Sequence, residues 1–146
     1  MQRLAAGALA AKTPAGSELW LDGGHNADGG RIVAGALAAL EERVSRPLVV
    51  IVGMLSTKDA EGFLRNFAGL ARALIAVPIG QEKGLAPDAL AAIARGVGLT
   101  ARSAPGIEEA LALVCAMELA PPPRVLVTGS LYLAGEVLAA NGTAPG

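Results

Sequence analysis

The chain has 146 residues, is 53% hydrophobic but only 3% aromatic, and carries a formal net charge of −1. This suits a single domain, residues 1–146, with an aliphatic core that needs no disulfide or metal staple. The absence of a basic excess argues against nucleic acid as a partner, the single Cys115 precludes an internal disulfide, and the single His25 precludes a histidine-based metal cluster.

Residues 1–17 form a leading segment. Met1–Ala11 has one basic residue and Ala-rich chemistry, a weak likeness to a signal peptide. Gly7 breaks that stretch, so a cytoplasmic chain is the simpler expectation, and no run of about 18 apolar residues is present to cross a membrane.

Strand patterns then alternate with helical ones. Strands are expected at Glu18–Asp22, Leu48–Gly53, Ala73–Val77, more weakly at Leu99–Arg102, and at Arg124–Thr128. The central runs are continuously apolar, as in strands covered on both faces. A helix is expected over Ala27–Arg43, with Ile32, Ala36 and Leu40 in one row and Val33 and Leu37 beside them. A second spans Asp59–Leu70, burying Phe63, Leu64 and Phe67 and pairing Glu61 with Arg65 outside. A third, Ala89–Arg95, follows Pro87 and stops at Gly96. A fourth, Ile107–Leu119, places Ala110, Leu111 and Val114 on one stripe, with Cys115 read as inert core. A fifth covers Leu131–Ala140, and residues 142–146 are expected to fray. This order predicts an α/β fold: a doubly wound, mostly parallel sheet of five to six strands with helices on both faces.

Ligands of such sheets sit at the carboxyl ends of the strands. Polar groups gather at three of those ends. Asp22-Gly23-Gly24-His25-Asn26 follows the first strand: the glycines permit a tight turn and close approach of a ligand, and the next helix offers free N–H groups to an anion. A plain turn with Asn26 as N-cap is the simpler account, but it leaves Asp22 beside His25 unexplained. Ser56-Thr57-Lys58-Asp59 opens the second helix. A capping box of Ser56 with Asp59 explains all but Lys58, a cation at the positive end of a helix, where anions are met. Thr128-Gly129-Ser130 ends the last strand, with Ser130 as N-cap and Tyr132 beyond it. Trp20 reads as packing with a satisfied indole N–H.

Other patterns fail. Gly24 to Arg31 has Walker spacing but Gly30 in place of the lysine and Arg31 in place of Ser/Thr. Gly96-Val97-Gly98-Leu99-Thr100-Ala101 precedes a strand and is a turn. No catalytic triad and no paired carboxylates emerge.

Leu19 through Asn26 resembles the Leu-Asp-Gly-Ala-His-Asn-Pro signature of the folylpolyglutamate synthase / dihydrofolate synthase family. Val52-Gly53-Met54-Leu55 through Lys58-Asp59 resembles that family's Gly-Met-Leu…Lys-Asp stretch, and Thr128 through Glu136 its closing Gly-Ser-Leu-Tyr element. The three occur in order at the three polar strand ends. The family belongs to the Mur-ligase superfamily. The resemblance implies a Rossmann-like C-terminal lid domain of an ATP-dependent ligase that joins L-glutamate to dihydropteroate or folate through an acyl phosphate. It also implies that ATP and Mg²⁺ are bound mainly by a covalently linked N-terminal P-loop domain, that the chain begins just after a Pro-Gly-Arg hinge, and that the isolated domain is inactive. Carried over by position, Asp22, Gly23, Gly24, His25 and Asn26 would face the nucleotide. Lys58, Asp59, Ser130 and Tyr132 would lie toward glutamate or folate, and no residue would hold a metal. Ala27-Asp28 departs from the family's proline and adds a negative charge there. The alternatives are the lid of a related cell-wall Mur ligase, or a stand-alone Rossmann-like nucleotide-binding or interaction module.

Overall fold

Strand β1 (Gln2–Arg3) leads into a 3₁₀ turn at Ala10–Lys12, β2 (Glu18–Leu21), α1 (Ala27–Arg43) and β3 (Leu48–Val52) in a computed structural model that describes residues 1–143. Then come α2 (Ala60–Leu64), a 3₁₀ turn at Arg65–Phe67, β4 (Ala73–Ala76), α3 (Pro87–Gly96), β5 (Ala101–Ser103), α4 (Ile107–Ala116), β6 (Arg124–Thr128) and α5 (Leu131–Asn141). The six strands form one sheet in the order β1-β2-β6-β3-β4-β5. Every pairing is parallel except β1 with β2.

Both sheet faces are covered, and this explains the uninterrupted apolar runs. Successive residues of a strand point to opposite faces. Val50, Val52 and Leu126 join Val33, Leu37, Phe63, Leu64, Phe67, Leu90 and Ala94 in one core layer, beneath α1, α2 and α3. Val49, Ile51, Val125 and Val127 join Leu111, Val114, Leu133 and Val137 in the other, beneath α4 and α5. Phe63 and Phe67 meet edge to face, with ring centroids 5.4 Å apart.

The sheet inserts β6 between β2 and β3. Its register runs Glu18↔Arg124 through Leu21↔Val127 on one side and Leu48↔Arg124 through Val52↔Thr128 on the other. The carboxyl ends of β2, β6 and β3 therefore stand side by side, and so do the three loops that follow them.

Several expectations need correction. The leading segment holds an edge strand, β1, too short and polar to show as a pattern. The inward row of α1 is Gly30, Val33 and Leu37, whereas Ile32 is exposed, because the helix turns Gly30 toward Phe63 and Asn66, where no side chain would fit. The second helix stops at Leu64 and tightens into the 3₁₀ turn, and the chain then reverses through Gly69 at φ 78°. The fourth strand begins two residues late, because the Leu99 amide still donates to Ala94 O at the end of α3. The fourth helix ends at Ala116. Cys115 is exposed, its thiol directed at Lys12 O at 3.4 Å, so it is not core. In the expected frayed tail, Gly142 takes a left-handed C-cap conformation and the Thr143 amide donates to Leu138 O at 2.9 Å. Residues 144–146 of that tail lie outside the described residues. No described helix is long and apolar enough to cross a membrane.

Candidate functional site

Three loops converge where the carboxyl ends of β2, β6 and β3 adjoin. They enclose a cavity of about 180 Å³ lined by His25, Leu55, Lys58, Gly129, Ser130, Leu131 and Tyr132. Four residues expected from the sequence thus meet there: His25 from the first loop, Lys58 from the second, Ser130 and Tyr132 from the third.

The turn after β2 is built by its own side chains. Asp22 Oδ2 accepts from the Gly24 amide at 2.8 Å, and Oδ1 lies 3.3 Å from the Met1 amino group. A Cβ on Gly24 would sit 2.8 Å from Asp22 Oδ2, and one on Gly23 would sit 2.5 Å from Leu131 Cδ2. A side chain on Gly24 would press on the carboxylate that holds the turn, whereas one on Gly23 would only push aside the exposed end of Leu131. Gly24 O accepts from the Gly129 amide at 2.9 Å, which locks the β2 loop to the β6 loop. Asn26 caps α1, its Oδ1 accepting from the Gly29 amide at 2.7 Å. Of these five residues only His25 lines the cavity. Its Nδ1 is buried and has no hydrogen-bond partner among the described residues. Asp28 pairs with Arg31 at 3.3 Å, with both side chains largely exposed. Its charge is thus countered within the first turn of α1.

The second loop differs from expectation. Asp59 alone caps α2, accepting from the Gly62 amide at 3.0 Å. Ser56 makes no capping box, because an antiparallel bridge Leu55↔Gly84 draws its amide to Lys83 O at 2.7 Å. Lys58 has no ion-pair partner among the described residues and stands exposed at the cavity.

In the third loop, Gly129 adopts φ 109°. Ser130, 3% exposed, caps α5, its Oγ accepting from the Tyr132 and Leu133 amides at 3.0 and 3.4 Å. Leu131 and Tyr132 follow, 68% and 51% exposed. Sequence reasoning missed Leu55, Gly129 and Leu131. The signal for Leu131 was its place at the first turn of α5, off the Leu133–Val137 inward row.

The cavity has one unpaired cation and no acid in its lining, so it suits an anionic group. At about 180 Å³ it holds an amino-acid-sized ligand or part of a nucleotide, not a whole nucleotide. No group of three or more His, Cys, Asp or Glu among the described residues could hold a metal ion, and no carboxylate lines this cavity.

A larger cavity of about 610 Å³ opens at the amino ends of the strands, lined in part by Glu41, Arg46, Arg72 and Arg124. Its charges mostly satisfy one another. Arg124 donates to Glu18 Oε1 at 3.1 Å, to Glu41 Oε2 at 3.5 Å and to Val44 O at 3.2 Å, and Arg46 donates to Gly16 O and Pro122 O. Burial works to raise the pKa of Glu18. The Trp20 indole N–H and the Arg124 guanidinium outweigh it and hold the carboxyl below its ordinary value. Glu41 is lowered by the Ser45 hydroxyl and the Arg46 amide. This is an ion network that fastens the sheet, and Trp20 has the satisfied polar tip expected of it.

Residues 7–140 match a family model described as the C-terminal domain of dihydrofolate synthetase. A folylpolyglutamate synthase of Lacticaseibacillus casei is 31% identical over 118 residues, covering 80% of this chain and 25% of that protein. The fold is that of folylpolyglutamate synthase from Mycobacterium tuberculosis, solved with ADP and AMPPCP, at a TM-score of 0.79 and 22% identity, covering 99% of this chain and 32% of that one. It is also that of the bifunctional folylpolyglutamate synthase/dihydrofolate synthase of Yersinia pestis, solved with AMPPNP and a Mn ion, at 0.68 and 24%, covering 84% and 28%. The chain thus spans a quarter to a third of the length of these proteins. With the match running from the leading segment to the end of α5, the chain belongs to the dihydrofolate synthetase C-terminal domain family.

Proposed function

We propose that the chain is the C-terminal part of an ATP-dependent ligase that joins L-glutamate to the carboxylate of dihydropteroate or a folate. The observation that carries this reading is the meeting of His25, Lys58, Ser130 and Tyr132 around one cavity in a chain of this family. In the reaction, ATP transfers its γ-phosphoryl group to the acceptor carboxylate, leaving ADP. The amine of glutamate attacks the acyl phosphate, an amide forms, and phosphate leaves.

The part of this chain is positioning and charge complementarity. Lys58 meets a carboxylate or phosphate oxygen, and the His25 ring forms part of the cavity wall. The Asp22–Asn26 turn faces the nucleotide. Asp59, Ser130 and Tyr132 lie toward the amino acid and the folate, with Asp59 and Ser130 acting through the helices they cap. Nucleotide phosphates and Mg²⁺ are held by a P-loop domain on the amino-terminal side, and the working protein is cytoplasmic.

The test is a chimera. The chain replaces the corresponding C-terminal third of a folylpolyglutamate synthase, and ATP- and folate-dependent incorporation of labelled glutamate is measured. The chimera is expected to ligate and the 146 residues alone are not. Lys58→Ala in the chimera should lower kcat/KM at least about tenfold, the loss of one charge-assisted contact, and His25→Ala should lower it by removing part of the cavity wall. Ligation by the chain alone, or a folded chimera without activity, overturns the reading.

A further inference from the structure

Asn141, the last residue of α5, is 3% exposed and uses its whole hydrogen-bonding capacity on the leading segment and the helix end. Its Oδ1 accepts from the Leu9 and Ala10 amides at 2.9 and 3.0 Å. Its Nδ2 donates to Ala6 O at 2.9 Å and to Thr143 Oγ1 at 2.7 Å. Its carbonyl accepts from the Ala8 amide at 3.2 Å. Gly7 lets the chain pass, with φ 129°, and a Cβ there would fall 2.3 Å from the Asn141 side chain. Leu4 and Leu9 are buried in the same core layer as Leu133 and Val137 of α5, and β1 pairs with β2 beside the Asp22 turn.

The opposite end of α5 forms the cavity rim. Ser130 caps it, Leu131 lies over Gly23, and Glu136 accepts from the Gly80 amide at 2.6 Å. Against the sheet, α5 rests chiefly along β6. The far end of α5, beyond Val137, is held by residues 2–13 through Asn141.

We propose that Asn141 is a positioning residue: it clamps residues 2–13 as a strap onto α5 and, through that helix, sets the place of the Ser130–Tyr132 rim of the cavity. The strap and the rim open together, as one cooperative unit. Nothing in this depends on which ligand the cavity takes.

Amide hydrogen exchange in the ligand-free chain tests it. In the unaltered chain at low denaturant, the Ala8, Leu9 and Ala10 amides and the Tyr132 and Leu133 amides should exchange through one opening with the same denaturant dependence. Separate openings overturn the proposal. Asn141→Ala and Gly7→Ala break the clamp from its two sides, and each should speed exchange about tenfold or more in the strap and at Gly129, Tyr132 and Leu133 alike. Asn141→Asp keeps the acceptor for Leu9 and Ala10 but sets a carboxylate oxygen against Ala6 O, so protection should fall below that of the unaltered chain in the strap and at residues 129–133 by the same factor. A strap that loosens while residues 129–133 keep their protection makes Asn141 a local clamp only. Because no ligand or turnover is read, the outcome is independent of the ligase assay.

Discussion

Glu18 and Arg124 are register partners on adjacent parallel strands, and Arg124 is 2% exposed. A buried guanidinium must be paired, so removing either partner leaves a charge without solvent. The Glu18 carboxyl is held below its ordinary 4.5 in the folded state. Its contribution is therefore full above that value and is lost as pH falls through the lower, folded value. The urea midpoint should drop as pH falls below the ordinary 4.5, and Glu18→Gln should flatten that drop while lowering stability at neutral pH. Arg124→Ala should cost about 3–5 kcal/mol by the same measurement at pH 7. Gly129 is the other decisive position. At φ 109° its Cβ would lie 2.6 Å from Gly53 O and 2.8 Å from Val52 Cγ2. Gly129→Ala should therefore destabilise by about 2–3 kcal/mol in urea unfolding and displace the amide that donates to Gly24 O, visible as shifted resonances in residues 23–26.

At the scale of elements, α2 is a short helix held by what it buries. Phe63, with no exposed surface, fills the space between α1 and the sheet and touches Phe67 edge to face. Asn66 Nδ2 donates to Ala27 O at 3.1 Å, tying the start of α1 to the end of α2. Phe63→Ala should cost about 3–5 kcal/mol, since the surroundings collapse only partly. Its effect should reach the loop that carries Lys58, five residues before Phe63, so exchange there should rise more than in α4 on the opposite face. The helix boundaries show how tertiary contacts adjust propensity: the Phe63, Leu64 and Phe67 pattern was legible, but the tightening into a 3₁₀ turn came from Gly69 and from the need to bury all three at once.

Across the whole molecule, two core layers share one sheet, and the ion network closes its amino ends while the cavity opens at its carboxyl ends. Five residues of β6 separate them, roughly 16 Å of extended chain. A chain of this size with both layers sharing β3 and β6 should unfold in one step. Trp20 fluorescence, which reports β2, and far-ultraviolet circular dichroism, which reports all the helices, should give coincident urea transitions. An early fluorescence transition would mean that the strap edge of the sheet separates from the rest.

The alternation of strands and helices, the coverage of both sheet faces, and the residues at the three polar strand ends were written in the sequence, because periodicity, caps and turn glycines are local properties. Asn26 and Ser130 cap helices as their residue types and positions require. The strand order was not local. The placing of β6 between β2 and β3 depends on how helices pack over both faces of a finished sheet, and it alone brings His25, Lys58 and Ser130 around one cavity. Which face of α1 turns inward was likewise settled by fit: Gly30 admits Phe63 where Ile32 could not. The strap over α5 was hidden because its strand is two residues long and its clamp is a side chain 132 residues away from the Leu9 amide it accepts.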